Sequence, residues 1–278
     1  MAKHTHRHFV RPRDLEILSA LDRTPLTSVQ LLKLSQIFAD TFGSERMVRE
    51  RLQALTEAGW VKTAYYATVS HGAAPKYYFL TTTGFAILHG PNIALPAKRS
   101  FAALPVTRHR HSRALADFVV HTIVAAHGAG VQMLNFYQEN RLRFNIDGEA
   151  LFPDAAFELQ TPDELQTPDT RQWNFVVEVD CGTERVHSRL DADSWQRKIR
   201  LYDRLQDLNH PHRFRVLVIS TGGNERLTHI LQAAATHARN PQRALFYGVQ
   251  LDEYLRQADA IRARCFHDHL GRAVALVR

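Results

Sequence analysis

The chain has 278 residues, of which 45% are hydrophobic and 23% are charged, values typical of a folded globular protein. No apolar run approaches the ~20 residues that a membrane-spanning helix needs, and the basic, His-rich segment 1–13 lacks the apolar stretch of a secretory signal. The two cysteines, Cys181 and Cys265, are far apart and not at metal-ligand spacing. Composition therefore argues against a membrane or disulfide-built protein, and we expect a cytoplasmic one with free thiols.

The positive charge is concentrated in the first part of the chain. Residues 1–113 contain 16 of the 35 Lys and Arg and 7 of the 28 Asp and Glu, which gives +9. The remaining 19 basic and 21 acidic residues give −2. This asymmetry predicts that the N-terminal part binds a polyanion such as double-stranded DNA.

Three helices are predicted at residues 13–21, 28–38 and 45–58, the second capped by Thr27 and the third closed by Gly59. On the third helix an apolar face repeats at helical spacing, and polar side chains that can reach phosphates and base edges lie opposite or beside it. The apolar face is Val48, Leu52 and Leu55, and the polar residues are Arg46, Arg49, Glu50 and Gln53.

A β-hairpin is predicted after the third helix, from strands at 60–66 and 76–80 around a polar tip. Three helices followed by a hairpin form a winged helix-turn-helix, in which Lys62, His71 and Lys76 add candidate DNA contacts on the hairpin. A short helix capped by Thr83 follows. The alternative is that this unit only mediates protein–protein or dimer contacts.

The sequence predicts four segments. A basic tail at 1–12 precedes the winged-helix domain at 13–90. A basic, Pro-containing linker occupies 91–108, and an α/β domain occupies 109–278.

Helices and strands alternate in this last segment. Helices are predicted at 111–127 and 194–208, and strands at 131–139, 142–146, 151–159, 173–180 and 214–220. This order indicates a mixed β-sheet. A strand at 244–251, a short helix and a strand at 273–277 complete the domain or form a dimer contact.

Acidic and basic residues recur along this domain in an order that suits a metal site. Asp154 and Glu178 lie on different predicted strands, and neighbouring strands would let both carboxylates hold a divalent cation. Alternation places Glu178 and Asp180 on one face of their strand. Lys198 precedes Tyr202 by one helical turn, so both can face the sheet. Such an arrangement suits phosphodiester hydrolysis. The alternative is that the two strand acids form a solvated edge and that Lys198 is a surface lysine.

Short strings in both halves form one pattern over most of residues 11–220. They are Arg13-Asp14-Leu15-Glu16-Ile17-Leu18, Arg51-Leu52-x-x-Leu55-x-x-x-Gly59, Tyr77-Tyr78-Phe79-Leu80-Thr81, His111 with Asp117-Phe118, Pro153-Asp154-Ala155, Glu178-Val179-Asp180-x-Gly182-Thr183-Glu184 and Lys198-x-x-x-Tyr202. This pattern resembles the replication-relaxation family of plasmid and mobile-element proteins. The resemblance implies a DNA-binding protein linked to plasmid replication or mobilisation.

The C-terminal half also resembles the PD-(D/E)XK nuclease superfamily, with Asp154 as the first acid and Glu178 as the second. This resemblance implies a restriction-endonuclease-like mixed sheet, with Mg²⁺ held by these two acids if the protein is catalytic. Asp180 stands where the superfamily pattern has lysine, and Lys198 on the following helix can replace it. The resemblance thus implies four catalytic residues, Asp154, Glu178, Asp180 and Lys198, and Glu139 is a further candidate acid.

Three functions remain open from the sequence. The first is a DNA-binding protein of a plasmid or mobile element whose nuclease-like domain serves assembly or regulation. The second is a Mg²⁺-dependent endonuclease or nickase targeted by its winged helix. The third is a transcription regulator with a ligand- or partner-sensing C-terminal domain.

Overall fold

The computed structural model describes residues 9–67, 74–139, 141–161, 171–188, 194–209, 212–240 and 242–277. Contacts divide the chain into two compact units, Met1–Ala116 and Asp117–Arg278. Among the helices of the described residues, none has both the length and the hydropathy that crossing a bilayer requires.

The first unit contains four helices and a small sheet. Its elements are α1 (Pro12–Arg23), β1 (Leu26–Thr27), α2 (Ser28–Leu34) with a 3-10 turn at Ser35–Ile37, α3 (Glu45–Glu57), β2 (Val61–Tyr65), β3 (Lys76–Leu80) and α4 (Thr82–His89). The helices begin at side chains that accept a hydrogen bond from the first turn: Thr27 for α2, Ser44 for α3 and Thr81 for α4. The last cap corrects the prediction of Thr83.

A buried ion pair joins the helices of this unit. The predicted apolar face of α3 is fully buried at Val48, Leu52 and Leu55. Beside it, Arg51 donates from Nε to a carboxylate oxygen of Asp14 on α1 at 2.6 Å. Arg51 therefore belongs to the interior of the helical unit.

Strands β2 and β3 form an antiparallel hairpin, and β1 pairs with the other edge of β3. The register pairs Tyr65 with Lys76 and Lys62 with Phe79. Because side chains alternate along a strand, Lys62 and Lys76 lie on opposite faces of the hairpin.

The segment expected as a linker contains two 3-10 turns, Lys98–Phe101 and Val106–Arg108. Between them the Leu104 amide donates to the Tyr77 hydroxyl at 2.9 Å. Just after the second turn, the His109 ring accepts from the Ala67 amide at 2.7 Å. These bonds attach the segment to the hairpin.

The second unit is a mixed α/β domain. Its elements are α5 (His109–Gly128), which begins in the first unit, β4 (Gln132–Gln138), β5 (Phe144–Ile146), β6 (Glu149–Leu151), β7 (Ala155–Gln160), β8 (Gln172–Asp180), α6 (Trp195–Leu208), β9 (Phe214–Ser220), α7 (Asn224–His237), β10 (Phe246–Gln250), α8 (Leu251–Leu255), β11 (Phe266–Asp268) and β12 (Ala273–Val274).

A seven-stranded sheet with the order β12-β11-β10-β9-β8-β7-β4 forms the centre of this unit. The three central strands β8, β9 and β10 are parallel and are connected through α6 and α7, whereas the outer pairs are antiparallel. The mixed sheet predicted from the sequence is confirmed.

The two faces of the sheet have different coverings. On one face Val176, Val216 and Val218 share a buried cluster with residues of α6 and α7. On the other face Phe157 lies 5.4 Å from Phe175 and 6.5 Å from Phe118 of α5, measured between ring centroids. Glu178 and Asp180 have the parity of Val176, so they lie on the face covered by α6 and α7.

Two predictions of secondary structure need correction. The strand expected at 151–159 is broken into β6 and β7, because Pro153 has no amide hydrogen and the Asp154 amide donates to the Val177 carbonyl at 3.0 Å. The helix α7 and the short strand β11 were not predicted at all.

Candidate functional site

Glu178 is a buried carboxylate in the middle of the sheet. It lies on β8 between two other strands, and its side chain is 1% exposed. Lys198 donates from Nζ to one Glu178 oxygen at 2.8 Å, and the Tyr202 hydroxyl donates to the other. Both partners come from one face of α6, as the one-turn spacing predicted.

A second carboxylate shares the lysine. Lys198 also donates to Oε1 of Glu184 at 2.8 Å, and its Nζ lies 5.4 Å from the centre of the Trp195 ring. Glu184 lies in the loop that follows β8. One ammonium group therefore bridges a strand carboxylate and a loop carboxylate.

Burial and charge act in opposite directions on these groups. Burial, together with the charge of Asp154, raises the pKa of Glu178 to about 7 against the opposing effect of Lys198. Burial also raises the pKa of Glu184. For Lys198, burial acts to lower the pKa, but the charges of Glu178, Glu184 and Asp154 outweigh it and raise the pKa. The lysine is therefore held as a cation among an excess of acids.

Asp154 lies next to this cluster at the start of β7. Its carboxylate accepts a hydrogen bond from the Val179 amide at 2.7 Å. The antiparallel register pairs the next residue, Ala155, with Val177 on β8. The predicted proximity of Asp154 and Glu178 on neighbouring strands is therefore present.

Asp180 has a different set of partners, although it shares the face of Glu178. It accepts two hydrogen bonds from Arg226 of α7, at 2.6 and 2.7 Å, and one from the Trp195 ring nitrogen at 3.1 Å. Arg226 also donates to the Glu184 carbonyl at 2.6 Å. The predicted residues are thus divided between a Lys198 cluster (Asp154, Glu178, Glu184, Lys198 and Tyr202) and an Asp180–Arg226 pair.

The donor set of the Lys198 cluster does not fit a Mg²⁺ ion in this arrangement. Both oxygens of Glu178 accept hydrogen bonds from Lys198 and Tyr202, and one Asp154 oxygen accepts from a backbone amide. Across the described residues, no three His, Cys, Asp or Glu side chains converge as metal ligands. The ammonium lies where a cation would bridge Glu178 and Glu184.

The predicted DNA-contact residues of α3 are exposed. The side chains of Arg46 and Arg49 are 83% and 59% exposed; Arg46 lies opposite the buried face of the helix and Arg49 lies beside it. Each has an acidic neighbour one turn away: Arg46 donates to Glu50 at 2.8 Å, and Arg49 lies 3.7 Å from Glu45. Gln53, also exposed, donates to Glu57 at 2.9 Å. The face is therefore polar and zwitterionic.

The hairpin face that carries Lys76 is electrostatically connected to α3. Lys76 Nζ lies 5.5 Å from the centre of the exposed Tyr65 ring. Burial raises the pKa of Tyr78, whose hydroxyl also senses the charges of Arg49, Tyr65 and Glu45. Lys62 lies on the opposite face of the hairpin, and His71 lies outside the described residues.

The sequence prediction missed two residues of the site. Glu184 was part of the quoted Glu-Val-Asp-x-Gly-Thr-Glu string without an assigned role. Arg226 lies on the unpredicted helix α7, whose signal was the helical spacing of Leu227, Ile230 and Ala234, all buried in the structure.

These features define a two-unit protein with a helical, hairpin-bearing first unit and a mixed α/β second unit that buries a carboxylate–lysine cluster. The sequence profile of the replication-relaxation family matches residues 21–215. Because this match spans more than half of the 278 residues, the chain belongs to the replication-relaxation family, as its short sequence strings predicted.

The sequence has no significant match among curated proteins. Among solved structures, Bacillus subtilis PadR in complex with operator DNA is similar over 44% of this chain and 76% of that chain, with 15% identity and a TM-score of 0.27. A similarity at this TM-score does not establish a shared fold. The resemblance of the C-terminal half to the PD-(D/E)XK superfamily stays a prediction.

Proposed function

We propose that this chain is a cytoplasmic DNA-binding protein of a plasmid or mobile element that acts in replication, relaxation or mobilisation. In this proposal the first unit is a winged helix-turn-helix that inserts α3 into the major groove of double-stranded DNA. The observation that carries the proposal is the exposure of Arg46 and Arg49 on α3, outside its buried apolar face. Membership of the replication-relaxation family supports it.

The acidic neighbours of these arginines are compatible with DNA binding. Exposed ion pairs between residues one helical turn apart contribute only about 0.3–0.5 kcal/mol, so a phosphate can replace Glu50 or Glu45 at little cost. The hairpin face with Tyr65 and Lys76 continues the surface, and the net +9 of residues 1–113 supplies attraction at longer range.

The test is a comparison of two double variants that each remove two positive charges from the first unit. R46A/R49A alters the proposed surface, and K98A/R99A removes exposed charges from the segment after α4. Binding of the full chain to a labelled 30-base-pair duplex is measured by fluorescence anisotropy between 50 and 300 mM salt. We expect R46A/R49A to reduce the slope of log affinity against log salt by about 2, with little change for K98A/R99A. Equal slopes for the two variants would contradict the proposal.

A second candidate function is that of a Mg²⁺-dependent endonuclease or nickase with a restriction-endonuclease-like second unit. The observation that favours it is the convergence of Asp154, Glu178 and Lys198 at one end of β8. Metal binding there requires Glu178 to give up a hydrogen bond from Lys198 or Tyr202.

Cleavage of supercoiled, linear, single-stranded and branched DNA with Mg²⁺ or Mn²⁺ tests this candidate. We expect D154A and E178A to abolish cleavage, while R200A, an exposed change on α6, leaves it intact. If the wild-type chain cleaves none of these substrates and binds no metal, the endonuclease candidate is contradicted. The DNA-binding proposal is not affected by that result.

A further inference from the structure

An arginine-rich cleft lies in the second unit, and none of the predicted site residues lines it. It has a volume of about 1020 Å³ and is bounded by the end of α6, the start of β9, the segment before β10 and the β12 strand. Five arginines line it, against one acidic residue, Asp207. The arginines are Arg213, Arg215, Arg243, Arg264 and Arg272. Because residues 114–278 carry a net charge of −2, this cleft is a local concentration of positive charge.

Three of the arginines are held in place by neighbouring groups. Arg243 pairs with the buried Asp203 and with Asp207, and Arg272 pairs with Asp268 at 2.7 Å. Arg215 donates to the Tyr247 hydroxyl at 3.2 Å. These contacts fix part of the wall of the cleft.

The other two arginines are available for a ligand. Arg213 and Arg264 are exposed, and within the part of the chain that the structure describes neither side chain has an ion-pair or hydrogen-bond partner. Two unpaired guanidinium groups on one cleft repel each other unless an anion lies between them.

The chemistry of the walls indicates which anion fits. Guanidinium groups match phosphate oxygens in paired hydrogen bonds, and the other wall residues include amides that bond to sugar and phosphate, such as Gln206, Asn240 and Gln242. The polar lining is unlike the mostly apolar lining of pockets that bind small organic metabolites.

We propose that this cleft binds the phosphodiester backbone of DNA and gives the second unit a DNA contact of its own. The inference deepens the proposed function, because it assumes that DNA is the partner, but it does not depend on α3.

The cleft is distinct from the Lys198 cluster. Arg213 precedes β9 and Arg215 lies near its start, whereas Glu178 pairs in register with Val218, three residues beyond Arg215. At about 3.3 Å per residue, Arg215 is separated by roughly 10 Å along the strands from the position of Glu178. The cleft lies at the amino ends of the parallel strands, and Asp180, with Ser220 opposite it, lies at their carboxyl ends.

The experiment removes the two arginines that lack partners. R213A/R264A is compared with R200A/R256A, which removes two exposed arginines of the same unit outside the cleft. Affinity of the full chain for labelled 30-nucleotide single strands and 30-base-pair duplexes is measured by anisotropy across a salt series. Circular dichroism checks folding, and R213Q/R264Q replaces the alanine pair if that pair does not fold.

We expect R213A/R264A to weaken binding on the order of tenfold near 100 mM salt and to lower the salt slope by about 1.5 to 2. R200A/R256A should behave as wild type. Equal losses in the two variants would overturn the proposal, because they would show only an effect of net charge.

A further experiment identifies the ligand. Inorganic triphosphate is titrated into the full chain by calorimetry. Triphosphate binding that needs Arg213 and Arg264, with DNA affinity unchanged in R213A/R264A, would assign the cleft to small polyphosphates and overturn the proposal.

A quadruple variant separates this proposal from that for α3. R46A/R49A/R213A/R264A should lose the sum of both effects in log affinity for DNA. A loss only from the α3 pair defeats the cleft proposal, and a loss only from the cleft pair defeats the α3 proposal.

Discussion

Arg226 donates to Asp180 through two nitrogens, Nε at 2.6 Å and Nη2 at 2.7 Å. Asp180 is buried at the end of β8, and the PD-(D/E)XK resemblance predicted from the sequence would align it with the lysine of that pattern. A cation from α7 therefore lies against an anion from β8. The pair connects α7 to the sheet and, through the Glu184 carbonyl, to the loop that carries Glu184.

We expect the Asp180–Arg226 ion pair to stabilise the second unit, with a favourable interaction free energy between the two side chains. R226A leaves a buried carboxylate with the Trp195 ring nitrogen as a neutral donor, and losing one partner of a buried pair costs about 3–5 kcal/mol. The measurement is urea unfolding of wild type, D180A, R226A and the double variant. The double-mutant cycle should give a coupling of about 1–3 kcal/mol, whereas additivity within about 0.5 kcal/mol would contradict it.

Restoring the lysine of the superfamily pattern should destabilise the protein without producing a nuclease. In D180K the new ammonium would lie buried beside the Arg226 guanidinium, so like charges replace an ion pair. We expect a lower melting temperature for D180K than for D180N, which removes the charge but adds no cation. A D180K protein as stable as wild type that cleaves plasmid DNA would show that the site tolerates the superfamily arrangement.

Periodicity explains which parts of this region were predictable. The strand at 214–220 has the bounds of β9, and the placement of Glu178 and Asp180 on one face follows from the two-residue repeat of a strand. The one-turn spacing of Lys198 and Tyr202 predicted their common face in the same way.

Contacts that depend on tertiary packing could not be predicted from the sequence. Glu184 belongs to an irregular loop, so no repeat indicates that it reaches Lys198. Arg226 depends on α7, a helix that was not predicted from the sequence. Local sequence therefore identified Asp154, Glu178, Asp180 and Lys198 but missed Glu184 and Arg226, whose contacts with them depend on tertiary packing.

The raised pKa of Glu178 should make stability depend on pH. We expect the folded protein to keep a proton on Glu178 up to about pH 7, because burial raises the pKa from its ordinary value of 4.5. Between these values the folded state binds more protons than the unfolded chain, so the free energy of unfolding falls as pH rises, by up to about 1.4 kcal/mol per unit. The contribution is complete below pH 4.5 and lost above about pH 7.

The measurement is urea unfolding of wild type and E178Q between pH 4.5 and 8. The glutamine is neutral at every pH, so we expect the free energy of unfolding of E178Q to change less steeply. The variant E225Q, at an exposed position on α7, controls for the loss of one acid and should retain the slope of wild type. An E178Q slope equal to that of wild type would show that Glu178 does not retain the proton.

Arg51 and Arg49 should differ sharply although they are two residues apart on α3. Arg51 pairs with Asp14, whose side chain is fully buried, so R51M leaves that carboxylate with the Arg11 amide as a neutral donor and should cost about 3–5 kcal/mol. R49A, at an exposed position, should change stability by about 0.5 kcal/mol or less. DNA binding should show the reverse order: at a temperature where both variants are folded, R49A lowers the salt slope by about 1 and R51M leaves it unchanged.

Urea unfolding and anisotropy titrations on the same samples separate the structural role of Arg51 from the DNA-binding role of Arg49. Equal destabilisation, or a larger loss of DNA binding in R51M, would contradict the assignment of Arg51 to the interior and Arg49 to the DNA surface.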